Sequence, residues 1–133
     1  MARRRMRLRR SDIRRLMSKA VVCAKDAREI CGLLLDNGYF VHVRETRNIA
    51  KKRGSFRLDI REINSVCRAS EKLGLKVVGT FHSHIVWFPK PGPADIGGAE
   101  DDSFMLIIDS MDRQVGLWRI RHGRAYVRQF ELI

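Results

Sequence analysis

Two histidines stand one residue apart in Phe81-His82-Ser83-His84, and Asp95 follows the second by eleven positions. Side chains alternate faces along a strand, so His82 and His84 point to one side and Ser83 to the other. Two imidazoles on one face can reach one ion. A catalytic zinc takes about three protein ligands and keeps a fourth position for water. Asp95 can supply the third, returned by a connection that Pro89, Pro91 and Pro93 restrict. Taken singly, each residue also has a plainer role. An H-x-H recurs in strands by chance, and Asp95 ahead of Ile96-Gly97-Gly98 can cap a helical turn. Hydrolytic chemistry needs an acid–base group as well. Glu29 qualifies because it opens an otherwise apolar segment, where a charge is costly unless paired or used. Its plain reading is a solvated strand end.

The elements that must position these groups follow from periodicity. Ser11 is placed as the N-cap of a first helix with Ile13, Leu16, Met17, Ala20 and Val21 on its apolar stripe. Residues 29–35, Glu-Ile-Cys-Gly-Leu-Leu-Leu, read as a strand. Asn37-Gly38 then signals a hairpin turn, and 39–45 is the returning strand. Residues 55–59 are a further short strand or the approach to a helix. Asp59 caps a second helix with Glu62 placed for a capping box. Ile60, Ile63, Cys67 and Ser70 lie along one side of it, Val66 and Leu73 flank them, and Gly74 ends it. Strands are predicted over 76–84, 103–109, 114–121 and 124–132, with His122-Gly123 as a tight turn. The result is a mixed α/β single domain whose sheet is largely antiparallel.

Composition sets the outer bounds. The chain has 133 residues, 44% of them hydrophobic, the size of one ordinary domain. No apolar run approaches the roughly 18–20 residues that cross a membrane, and no signal-peptide pattern opens the chain. The expectation is a soluble, unexported, cytoplasmic protein. Cys23, Cys31 and Cys67 form no C-x-x-C pair, so thiolate zinc sites and disulfide frameworks are not indicated. Residues 1–20 hold eight arginines and one lysine against one aspartate, which is +8 of the chain's +12. Residues 1–10 therefore read as a flexible basic arm and 11–133 as the domain. Such an arm suits nucleic acid or an acidic protein partner, or is simply solvated. It carries no aromatic residue for stacking on bases.

Glu29 in its Glu-Ile-Cys-Gly-Leu-Leu setting, then His82-Ser83-His84, then Asp95 at H-x-H-x10-D spacing together resemble the JAMM motif of the JAB/MPN metalloprotease family. The likeness is to its small stand-alone prokaryotic form and extends over about residues 11–133. It implies a single JAB/MPN-like domain of mixed α+β class, with a cytidine-deaminase-like mixed sheet flanked by helices. It implies Zn²⁺ held by His82, His84 and Asp95, with Glu29 passing a proton from water to a leaving amine. The reaction would be peptide or isopeptide hydrolysis, and the partner a protein or peptide, often the tail of a ubiquitin-like or sulfur-carrier protein. Neither H-E-x-x-H nor the H-x-E with C-x-x-C of deaminases is present.

The chain departs from the family pattern at two positions. Ile85 stands where the family has proline. Gly92 stands where the family has the serine that helps hold the oxyanion. Loss of one such donor typically costs about 2.7–4 kcal/mol, or roughly 100- to 1,000-fold in rate. Three outcomes stay open: a backbone N–H near Gly92 substitutes, the domain binds metal and a protein tail but barely cleaves, or the substrate is unusual. Ser83 faces away from the ligands, and Ser103 has no position readable from sequence. Trp87 and Phe88 either wall a substrate groove or pack their loop onto the domain, the latter being favoured. His42 and His122 are read as surface or turn histidines, and Asn48 as a residue that fixes a turn.

Overall fold

The computed structural model describes residues 5–85 and 89–133. One eight-stranded sheet organises them, in the order β7-β6-β5-β4-β2-β3-β1-β8. The strands are β1 (Met6–Leu8), β2 (Cys31–Asp36), β3 (Val41–Thr46), β4 (Lys76–His84), β5 (Ser103–Asp109), β6 (Gln114–Arg121), β7 (Arg124–Arg128) and β8 (Phe130–Leu132). Three helices pack on it: α1 (Arg10–Ala24), α2 (Ile60–Lys72) and α3 (Pro93–Gly98). No described helix is long and apolar enough to cross a membrane.

β2 is apolar almost throughout because both its faces are covered. Leu34 packs with Leu16, Ala20, Phe81 and Leu106 on the α1 side. Leu33 and Leu35 pack with Val66 on the α2 side. A third cluster, Met105, Ile107 and Ile120, is covered by Ile96 and Ala99 around α3. β4 pairs antiparallel with β2 and parallel with β5, so the chain must cross over between β4 and β5. That crossover carries α3, and with it Asp95.

Several expectations are corrected. Residues 6–8 are not part of a flexible arm. β1 runs parallel to both β3 and β8, Leu8 is fully buried, and Arg7 pairs with Glu131. The first helix starts at Arg10, so Ser11 lies inside it. The cap is Arg9, whose guanidinium instead joins Arg15 in binding the buried Asp12 carboxylate. The hairpin turn is shifted by one residue: the Asn37 N–H donates to the Phe40 carbonyl, Gly38 and Tyr39 lie between them with Gly38 at φ 93°, and Asn37 Oδ1 accepts from the N–H groups of Tyr39 and Phe40. Asp59 does cap α2, but Glu62 accepts from the Arg47 N–H and closes no capping box. Ile60 and Leu73 face outward, leaving Ile63, Val66 and Ser70 inward. Residues 55–59 form only an isolated bridge, Asn48 with Leu58. The last predicted strand divides, because β7 pairs with β6 whereas β8 pairs with β1 at the far end of the sheet. Gly74 and the His122-Gly123 turn are as expected, each with positive φ.

Candidate metal centre

His82 and His84 end β4 on one face, both buried. Their Nε2 atoms lie 3.0 Å apart. Asp95 Oδ2 is 3.3 Å from the first and 3.2 Å from the second. A tetrahedron's edge is about 1.6 times its centre-to-corner distance. Zinc bonds of roughly 2.0–2.1 Å therefore put neighbouring donors about 3.3 Å apart, which is the size of this triangle. Asp95 sits in the first turn of α3, and its Oδ2 also accepts the Gly92 N–H at 2.8 Å. The carboxylate thus caps its helix and faces the histidines, so the two readings of Asp95 are compatible.

The electrostatics suit a cation. Burial alone would raise the Asp95 carboxyl, but hydrogen bonds from His82 and His84, helped by the Gly92 N–H, hold it well below the usual carboxylate range. Burial pushes the His82 imidazole down, against the pull of Asp95. A neutral imidazole beside an ionised carboxylate is the protonation state that metal ligation requires. His82 Nδ1, by contrast, is buried without a partner among the described residues. Metal-bound histidines usually donate from that second nitrogen, and here the ring is instead held by Phe56, stacked at 4.2 Å between centroids.

Glu29 is buried just ahead of β2. Ser83 fixes that segment: its N–H donates to the Ile30 carbonyl at 3.0 Å, and its Oγ accepts the Ile30 N–H at 2.9 Å. This continues the β2–β4 ladder past Cys31 and His82, so Glu29 falls on the same face as the two histidines. Ser83 points away from the ligands, as alternation requires. Desolvation pushes the Glu29 carboxyl up to about 7, with His84 pulling it back and Asp95 adding to the rise. A cleft of about 460 Å³ lies between Glu29 and Lys19, Cys23, Glu45, Asn48 and Glu62, and none of His82, His84 and Asp95 lines it.

Four residues that the sequence left open or gave no role lie around the site. Asn48 uses its whole amide: Nδ2 donates to the carbonyls of Glu29 and Ser55, and Oδ1 accepts from Ala50 and Arg57. Trp118 Nε1 donates to the Pro89 carbonyl at 2.7 Å and so anchors the crossover that bears Asp95. Gly116 makes room for this, since a Cβ there would strike the same carbonyl. Asp109 lies opposite His84 in register, buried, with Oδ2 unpartnered among the described residues. Of these only Asp109, a charge closing the apolar run Phe104–Ile108, left a signal in the sequence. His42 meets Asn37 and Phe40 and lies outside the site, as does His122 in its turn. Trp87 and Phe88 lie outside the described residues.

Residues 11–121 match the family described as prokaryotic homologs of the JAB domain. A desampylase from Pyrococcus furiosus is 33% identical over 78 residues, which is 58% of this chain and 56% of that protein. The match thus spans just over half of that relative's length. A solution structure from Desulfitobacterium hafniense superposes with TM-score 0.83 at 21% identity, covering 96% of this chain and 92% of that one. A structure described as JAMM, a metalloprotease-like zinc site in the proteasome and signalosome, superposes with TM-score 0.53 at 17% identity. It covers 98% of this chain and 99% of its own.

Proposed function

This chain belongs to the family of prokaryotic homologues of the JAB domain, and on that premise we propose that it is a zinc-dependent peptidase or isopeptidase of the JAMM type. Its substrate class would be the tail of a ubiquitin-like or sulfur-carrier protein joined to an amine. The desampylase name of one relative supports that class. The three cysteines are free thiols, which fits a reducing compartment such as the cytoplasm. The observation that carries the proposal is the triangle of His82, His84 and Asp95 donor atoms with edges of 3.0–3.3 Å.

His82, His84 and Asp95 would hold the ion. Zinc supplies Lewis acidity, which acidifies water and polarises a carbonyl. Glu29 does the proton work. Its carboxylate takes a proton from the attacking water as the new C–O bond forms, then delivers it to the amine nitrogen as the C–N bond breaks. A carboxylate placed beside the ligands can take that proton and give it back in turn. Gly92 offers no hydroxyl, and its own N–H is already given to Asp95 Oδ2, so it is not free to replace the family serine. The rate should be low for that reason.

The basic start lends the nucleic-acid alternative little, since Arg7 pairs with Glu131 and Arg9 and Arg15 pair with Asp12. The test is elemental analysis beside hydrolysis of an isopeptide-linked conjugate. About one zinc per chain is expected, lost in His82→Ala. Slow cleavage should stop with a chelator and fall at least about 100-fold in Glu29→Gln. Zinc retained without any turnover would leave only a metal-binding interaction module. A protein that takes up no zinc would refute the site altogether.

A further inference from the structure

Between β3 and α2 the chain runs through residues 47–59 with no regular element except the Asn48–Leu58 bridge. A segment of that length without secondary structure is uncommon in a compact domain unless it has a use. Here it is fastened at many points. Asn48 ties it to the Glu29 carbonyl and closes it on itself through Ser55, Ala50 and Arg57. Arg28 donates to the carbonyls of Asn48 and Ala50, and the Gly54 N–H donates to Ala27. Phe56 lies on the His82 ring. The loop is thus built onto the two parts of the site, the segment bearing Glu29 and the end of β4.

What it presents outward is one sign of charge. Lys51, Lys52, Arg53 and Arg57 are exposed and make no ion pair among the described residues. The other cations nearby are used: Arg47 pairs with Asp59 and Glu62, and Arg28 is spent on loop carbonyls. No acidic residue lies between Arg47 and Leu58. Four unpaired cations repel one another, and a rigid loop cannot spread them apart. We propose that this loop is a docking platform for a substrate protein that is acidic beside its scissile tail, steering that tail towards Glu29 and the His82–His84–Asp95 centre. The inference rests on the hydrolase reading for what is docked, but it is tested by binding.

The probe is one ubiquitin-like protein made in two versions, with a cluster of glutamates beside its C-terminal tail or with those residues as glutamines. Each is labelled for anisotropy and also joined through its C-terminal carboxyl to a lysine ε-amine. At low ionic strength the acidic version should bind at least about tenfold tighter. The advantage should fade between about 50 and 500 mM salt. The triple variant Lys51→Glu, Lys52→Glu, Arg53→Glu should lose the difference while binding the glutamine version as before. Equal affinities for the two versions, or an advantage that survives in the triple variant, would overturn the proposal. So would a DNA duplex that displaces the acidic protein at matched charge. Cleavage of the two conjugates with zinc is scored separately. Its absence with the binding difference intact would sink the hydrolase reading and leave the docking assignment standing.

Discussion

Gly92 has ordinary backbone angles, φ −83° and ψ 170°, and a Cβ built there meets only Asp95 Oδ2, at 3.6 Å. A serine therefore fits without strain, and its hydroxyl would stand at the head of α3 beside the ligands. Gly92→Ser should raise kcat by up to about 100- to 1,000-fold with little change in zinc content, read by steady-state kinetics on the same conjugate. Glu29 permits a second prediction, for the metal-free protein. Its folded pKa of about 7 lies above the ordinary 4.5, so the folded state binds more protons than the unfolded state between those values. Stability must then fall as pH rises through that window. The His82 ring is shifted the opposite way, and its contribution grows as pH rises towards 6.5. Subtracting the two proteins removes it: Glu29→Gln should gain stability on the wild type between about pH 5 and pH 8, in urea melts with chelator present. A constant difference would mean that Glu29 ionises normally.

At the level of elements, the strands that carry the ligands were the ones legible beforehand. β4, β5 and β6 keep the predicted bounds because each is a single β-rich run ending at a turn. H-x-H-x10-D was readable for the same reason, since alternation on one strand and one short return place all three donors. Glu29 needed the register of β2 against β4, which spacing alone does not set. The links through Asn48 and Trp118 were invisible, because they join a side chain to a carbonyl 19 and 29 positions away. Those links give a prediction that belongs to the crossover. Trp118→Phe keeps the ring packing but removes the donor to Pro89, leaving the segment that returns Asp95 untethered at its start. Zinc affinity should drop about tenfold, in line with one lost hydrogen bond of about 1–1.5 kcal/mol, with the melting midpoint of the metal-free protein little changed. Competition with a chromophoric chelator measures it, and an unchanged affinity would show that α3 alone positions the carboxylate.

The whole molecule is closed by its least conspicuous strands. β1 is three residues with Arg7 at its centre, too short and too polar to stand out, and β8 was legible only as the end of the strand over 124–132. Their pairing becomes possible only once β3 offers an edge, so it is a consequence of the assembled sheet. β1 lies between β3 and β8 and has Leu8 fully buried in the α1 cluster. The chain end then folds back, with the Ile133 N–H on the Leu8 carbonyl and the Arg10 N–H on the Ile133 carbonyl. A basic arm lying free of the domain would contribute nothing to stability. A strand that joins the two ends of the chain must contribute. Leu8→Ala should cost about 2–5 kcal/mol, the range for a buried leucine cut back to alanine. Deleting residues 1–8 should cost more, because β8 then has no partner and the edge of β3 at Val41 is exposed. Urea midpoints and m-values for both variants decide the matter. A deletion as stable as the full chain would mean that β1 does not hold the sheet together.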